Sequence, residues 1–427
     1  MSTIVYRLSD ATNWWEILPV RGEKPTRLFQ LAVSLWIVFF VVCGGKAVVS
    51  PVKHNSYSSF ETGAELWLAD LNMYQGSFYE FRYGPTFAFL FTPLTLLPMW
   101  LGSLLWMWFN LAAFAWALRA LVRDILPGRW SPNQEGAFLI LVLLATYRGF
   151  WTAQTNMLIL TCLVAALLAV AQRRWAVAAL FLAVPVHIKV WPAAAALLII
   201  ACWPRALTAR FVAALVAVAA LPLAIKWPWL VWARYADWHR ALTGKMQIRH
   251  DYHDMWTLLE VFQRPDTTAY AIWQVSFGIL VLASCLWQKQ RGASTKQMST
   301  FLLGIWAAWQ LSFGPGTERA TFGLIAPLTA WGLITAFSIE RGRSLMLLAF
   351  GLTVLGGLGQ VERALQPMFP LAAALHPLGI MVFAGWLLEY ARDWRLPSFP
   401  MIARQHQRVP TIVSEPLPGM PAFASAA

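Results

Sequence analysis

Residues 51–98 read PVKHNSYSSFETGAELWLADLNMYQGSFYEFRYGPTFAFLFTPLTLLP. The end of this stretch, Thr86 to Pro98, decides how the rest of the chain is arranged. It is apolar, but it falls short of the about 20 residues a helix needs to cross a bilayer. Pro93 and Pro98 interrupt it further. If it crosses, every later loop changes sides, and the turns bearing Arg173/Arg174, Arg205/Arg210, Lys289/Arg291/Lys296 and Arg341/Arg343 fall outside. If it lies along the outer surface, all of them fall inside, together with both chain ends. The second arrangement puts 20 Lys and Arg inside and 13 outside, six of those in the single long loop 226–268. Short cytoplasmic loops carry the basic excess, and long loops weigh little in that rule. Residues 86–98 are therefore expected to lie along the outer interface as a juxtamembrane helix.

Composition agrees with a membrane chain. Of 427 residues, 59% are hydrophobic and only 12% charged, against about 25% charged in soluble domains. The 25 Trp suit a helical bundle anchored at its interfaces. Apolar runs occur at 28–49, 100–122, 136–150, 157–171, 175–187, 191–203, 211–225, 269–287, 299–312, 320–338, 344–360 and 373–391. The fold class is an all-α polytopic membrane protein of about twelve transmembrane helices. Residues 1–27, with Trp14, Trp15, Arg21, Lys24 and Arg27, read as a cytoplasmic interfacial N-terminus. Residues 28–392 form the membrane domain, with outer loops 50–98 and 226–268. Residues 393–427 form a cytoplasmic tail, rich in Pro, Ser and Ala and expected to be disordered. The first apolar run lacks a small-residue cleavage site and reads as a span, not a cleaved signal. The net charge of +13 lies mostly in short loops, so orientation and anionic lipid account for it better than nucleic acid. Cys43, Cys162, Cys202 and Cys285 all lie within apolar runs with no paired spacing. Neither a disulfide nor a metal site is expected.

With 86–98 on the surface, every segment of unusual polarity falls on the outer side. These are 50–98, 148–156, 187–192, 226–268, 313–319 and 361–372. The site is expected there. In His187-Ile188-Lys189-Val190-Trp191-Pro192 a lysine sits at membrane depth, where it either snorkels or serves a ligand such as a phosphate. Trp151-Thr152-Ala153-Gln154-Thr155-Asn156 places two amides at a turn, as helix caps or as partners for sugar hydroxyls. Phe313 to Thr321 is broken by Gly and Pro and ends in Glu318-Arg319, which either pair with each other or line a cavity. The long loop carries His250, Asp251, His253 and Asp254 around Tyr252; this spacing is weak evidence for a metal, and a solvated loop face is the plainer reading. The chain contains no Walker loop, Rossmann glycine pattern, nucleophile elbow or HExxH. If the chain is a transferase, its donor must come from the lipid phase.

Several of these pieces together resemble a known family. Leu71-Asn72-Met73-Tyr74 resembles a G-x-x-L-Y close to the first outer loop. Phe81-Arg82-Tyr83-Gly84-Pro85 opens a Tyr-x-Pro segment running to Pro98. Ala153-Gln154-Thr155-Asn156 resembles Gly-Gln-x-Asn, and Lys189-Val190-Trp191-Pro192 resembles Lys-x-x-Pro. In order and spacing they resemble glycosyltransferase family 87, also called DUF2029, the alpha-1,2-mannosyltransferase-like group of the GT-C fold class. The likeness covers most of 28–390. It implies a GT-C-like bundle acting on the extracytoplasmic face of the plasma (inner) membrane. The donor it implies is a polyprenyl-phosphate sugar, plausibly of mannose. The acceptor is a glycan or glycolipid, and no metal or other cofactor is implied.

The resemblance also implies roles. Lys189 and Arg82, with Arg319, would meet the donor phosphate. Asn55, Gln154, Asn156, His187 and Tyr83 would meet sugar or acceptor. Matching backwards from Tyr74 puts Asn55 where the family carries its catalytic aspartate, and an amide cannot serve as a base. Either another carboxylate takes over, with Glu80 and Glu318 ranked ahead of Glu61 and Asp70, or this member is inactive. A transporter or flippase of lipid-linked sugar is the rival class. Against it stand the lack of an inverted repeat and the confinement of charge to one face.

Overall fold

The structure, a computed structural model, describes residues 25–52, 55–75, 81–243, 252–314 and 317–395. The expectations for residues 1–24, for the tail from 396 onward, and for Glu80, His250 and Asp251 lie outside the described residues. Regular structure within them is helical, with one isolated antiparallel bridge between Tyr252 and Glu318. In chain order the helices are α1 (Arg27–Val49), α2 (Tyr57–Leu68), α3 (Pro85–Thr95), α4 (Met99–Ala120), α5 (Pro132–Trp151) and α6 (Asn156–Ala171). There follow α7 (Trp175–Ile188), α8 (Ala193–Cys202), α9 (Pro204–Ala220), α10 (Pro228–Thr243), α11 (Met255–Glu260) and α12 (Thr267–Gln290). The last are α13 (Thr295–Phe313), α14 (Ala326–Ser338), α15 (Arg343–Gly357), α16 (Gly359–Leu365) and α17 (Leu375–Arg392).

Each apolar run of the sequence has its helix. Among the described residues, four are long and apolar enough to cross a membrane by themselves: 27–49, 99–125, 204–224 and 267–290. The shorter ones, such as α6, α7 and α8, rely on packing. The protein is an all-α membrane protein. α3 has 11 residues, about 16 Å at 1.5 Å per residue, against a hydrocarbon core of about 30 Å. Pro85 at its first turn starts it, and Pro93 sits within it near its end.

Two helices form the axis of the bundle. α6 is apolar all round and buried on nearly every residue, and α13 is enclosed in the same way; such helices belong in a core. α1, α9 and α12 instead turn Ile37, Val41, Val212, Val216, Val275 and Ile279 outward, as the lipid side of a bundle requires. The outer-side segments meet at one end of this axis. Ser56 N–H donates to the Thr152 carbonyl (2.9 Å), Gly84 N–H to Ile188 (3.3 Å) and His253 N–H to Thr317 (2.9 Å). At the other end the Lys296 ammonium donates to the Arg123 carbonyl (2.8 Å), and Arg341 bridges Glu389 (2.6 Å) and Asp393. The segments the sequence assigns to one side thus do share one end.

Candidate active site

The site is built on an aromatic floor. Phe60 of α2 meets Tyr83 (4.8 Å), Phe87 (5.2 Å) and Phe91 (5.4 Å) of the α3 region, and Trp106 of α4 (5.6 Å). Such ring pairs add to the area they bury. They hold the Arg82-Tyr83-Gly84 backbone against the turn after α7. Gly84 lies so close to that turn that a β-carbon there would sit 2.3 Å from the His187 carbonyl oxygen; only glycine allows this approach. On either side of the strand-like stretch, the Tyr74 hydroxyl donates to the Tyr83 carbonyl (2.9 Å) and the Trp238 indole to the Arg82 carbonyl (3.3 Å).

Lys189 follows directly. α7 ends at Ile188, and Lys189 takes extended backbone before Pro192 precedes α8. Its ammonium lies 5.2 Å from the centre of the Tyr83 ring and donates to the Asn156 side-chain carbonyl (3.3 Å). Asn156, at the first turn of α6, donates in turn to the Thr321 hydroxyl (3.4 Å). Both contacts replace the helix-capping alternative. Burial pushes the Lys189 ammonium below the usual lysine range; Glu318 pulls it back up and Arg82 adds to the fall. No carboxylate is in contact with it among the described ion pairs, so its charge is held ready by an amide, a ring and a distant acid. The phenol of Tyr83 is pushed above the usual range, first by burial and then by Glu318.

Glu318 closes the arrangement from across the bundle. α13 ends at Phe313, with Gly314 extended behind it, and Glu318 is extended where it leads into the next helical turn. The carboxylate is exposed and accepts from the Gln154 amide (3.3 Å). Tyr252 pairs with Glu318 across the bridge, and its hydroxyl accepts from the Arg82 guanidinium (2.8 Å). Lys189, Asn156, Gln154, Tyr83, Arg82 and Glu318 therefore belong to one connected group. Tyr252 and Thr321 join it; by sequence alone Tyr252 reads as part of a solvated loop face, with a metal cluster the weaker reading. Its signal, a Tyr flanked by His and Asp, points equally to a loop face.

Other expected residues lie elsewhere. His187 uses both ring nitrogens structurally, against the Leu215 carbonyl (3.1 Å) and the Tyr235 hydroxyl (3.4 Å), tying α7 to α9 and α10. Asn55 accepts from Tyr57 N–H (3.0 Å) and donates to Ser103 (3.3 Å), so its amide serves the start of α2. Asp70 is exposed and ion-paired with Lys226. Glu61 is buried on α2, while Glu65, four residues on, is exposed. Burial, then Glu65, pushes the Glu61 carboxyl above the usual range. The Arg319 guanidinium faces Gly359, where a β-carbon would lie 3.5 Å from it and 3.9 Å from that of Arg148. It thus belongs to a different group from Lys189.

The sequence profile of glycosyltransferase family 87 matches residues 81–309, more than half the chain. Among solved structures, the chain is similar to ArnT from Cupriavidus metallidurans bound to undecaprenyl phosphate. That likeness has 15% identity and a TM-score of 0.41, covering 86% of this chain and 77% of that one. The same protein in the apo state gives 16% identity and a TM-score of 0.39 over 85% and 77%. No curated protein matches the chain.

Proposed function

The chain belongs to glycosyltransferase family 87, and we propose that it moves a hexose, with mannose the expected sugar, from a polyprenyl phosphate to a hydroxyl of a glycan or glycolipid. The reading places this reaction on the extracytoplasmic face. One observation carries it: a desolvated lysine, an arginine-bound tyrosine and an exposed carboxylate share one polar group at the end of an apolar bundle. A lipid-linked donor suits that position, with its chain among the helices and its phosphate at their end.

In this mechanism the acceptor oxygen attacks the anomeric carbon as the bond from that carbon to the phosphate oxygen breaks. Glu318 takes the acceptor's proton as general base. The leaving phosphate keeps the bonding pair, and its charge is met by Lys189 and Arg82. Direct displacement inverts the anomeric centre. Gln154 and Asn156 are poised for sugar hydroxyls. Asp70, spent on Lys226, and Glu61, buried on α2, fit the base's role less well.

The test is single-turnover transfer from polyprenyl-phosphate mannose and polyprenyl-phosphate glucose in purified protein. Glu318→Gln is expected to lower the rate about 10²–10⁴-fold while donor binding is kept. A wild-type rate in Glu318→Gln would move the base elsewhere. No turnover by the wild type with either donor would favour the inactive-member reading.

A further inference from the structure

The Tyr252–Glu318 bridge has two faces. Successive side chains in extended backbone point to opposite sides. Tyr252 and Glu318 are directly opposed and belong to the Lys189 group. Their neighbours His253 and Arg319 belong to another, centred on His376 at the start of α17. The His376 ring lies 5.7 Å from that of His253 and stacks on Phe322 at 3.9 Å. The charges acting on it are those of His253, Arg319 and Arg148, whereas those acting on Lys189 are Glu318 and Arg82. Two cationic groups thus flank one bridge.

The second group is built around the turn between α15 and α16. Tyr147 fixes the turn by donating to the Gly357 carbonyl (3.3 Å). The guanidinium groups of Arg148 and Arg319 converge on Gly359, and His376 Nε2 faces Gly357. His376 is only 1% exposed, and its Nε2 is a buried polar atom with no hydrogen-bond partner. The Thr353 carbonyl occupies the other side of the ring. Buried polar atoms are nearly always partnered, so an unpartnered nitrogen facing the same turn on which two guanidinium groups converge points to a ligand.

We propose that Arg148, Arg319 and His376 form a second oxyanion site, which receives a phosphate group carried by the sugar acceptor. This rests on the transferase reading above and names the acceptor's class: phosphorylated, not neutral. A carboxylate has two oxygens, which one guanidinium fork can satisfy. Two forks and an imidazole nitrogen suit the three outer oxygens of a phosphate. With the donor phosphate on the Lys189 face, Glu318 lies at the junction of the two groups, where the acceptor hydroxyl must give up its proton.

The test is equilibrium dialysis of the full chain, in uncharged maltoside micelles, against radiolabelled inorganic phosphate. Two phosphates per chain are expected. Lys189→Met should leave one, and Arg148→Gln with Arg319→Gln should leave the other. His376→Gln should weaken the second about tenfold. A single phosphate that Lys189→Met removes and the arginine variants leave untouched overturns the proposal. Two phosphates that survive Lys189→Met sink the donor assignment instead and leave this one standing. In the Lys189→Met background, octyl mannoside 6-phosphate should displace the remaining phosphate and octyl mannoside should not. Displacement by phosphatidylglycerol but not by the phosphorylated mannoside would assign the site to bilayer lipid and overturn the acceptor role. Should the glutamine pair fail to fold, Arg148→Lys with Arg319→Lys keeps the charge and loses the forks. Undiminished binding in that pair also overturns the proposal.

Discussion

Two charged groups at opposite ends of the bundle, one around Arg341 and one around Lys189, handle charge in opposite ways. At the end holding Arg341, cations meet carboxylates directly and in the open, as in Arg341 with Glu389 and Asp393, Arg343 with Glu340, and Arg123 with Asp124. Helix starts there are closed by capping boxes at Ser131/Gln134 and Ser294/Gln297. These cations are spent on carboxylates. At the end holding Lys189, the cation rests on an amide and a ring, and the nearest acid is bound to a different amide. Exposed pairs are worth little and cost little. A desolvated charge without a contacting counter-charge is expensive, and such expense is typical of a place where charge must be supplied to something else. The contrast separates solubility from chemistry more sharply than counting charges does.

Of the variants that bear on this contrast, the largest effect should come from Lys189→Met, which removes the cation held in reserve. Transfer from a polyprenyl-phosphate donor should fall about 10²–10³-fold, with insertion and yield unchanged. Full activity would reduce Lys189 to an anchoring residue and erase the contrast between the ends.

Next is pH. Only the protonated lysine holds an anion, and burial lowers its pKa from an ordinary value near about 10.4. Donor binding should therefore decline at a lower pH than an ordinary lysine would set, and Lys189→Arg should abolish that alkaline limb. The sign for stability is the reverse. Below the folded pKa the full cost of the buried charge is present. The unfolded chain then binds more protons than the folded one between the two pKa values, so stability of the unliganded protein should rise with pH across that window. A thermal midpoint that falls there, relative to Lys189→Met, would contradict the assignment.

A smaller effect belongs to Glu61. Its carboxyl is raised by burial, so it weakens the fold above its folded pKa, and the loss is recovered as pH falls through that value. Glu61→Gln should raise the thermal midpoint slightly at neutral pH and leave transfer intact; lost transfer would make Glu61 the base. The smallest effect is expected of Arg341→Met. Its thermal midpoint should move by no more than about a degree and its transfer rate should not move at all.

Much of this was legible in the residues because it depends on local pattern. Apolar runs mark helices whatever their partners, and all twelve runs have one. The single polar end followed from counting basic residues across Thr86–Pro98. Lys189, Asn156, Gln154 and Glu318 stood out because polar groups are conspicuous at the ends of apolar helices. What stayed hidden depends on which way a side chain turns. His187 sits two residues from Lys189 yet faces α9 and α10. Arg319 follows Glu318 yet faces Arg148. Tyr252 reaches the site through a bridge whose partner lies 66 residues away, and no local pattern encodes that pairing.

The near-contact at Gly84 has a mechanical consequence. With 2.3 Å between an added β-carbon and the His187 oxygen, the two chain segments cannot slide past one another. Gly84 and the turn after α7 are locked together by this contact and by the Gly84 N–H to Ile188 hydrogen bond.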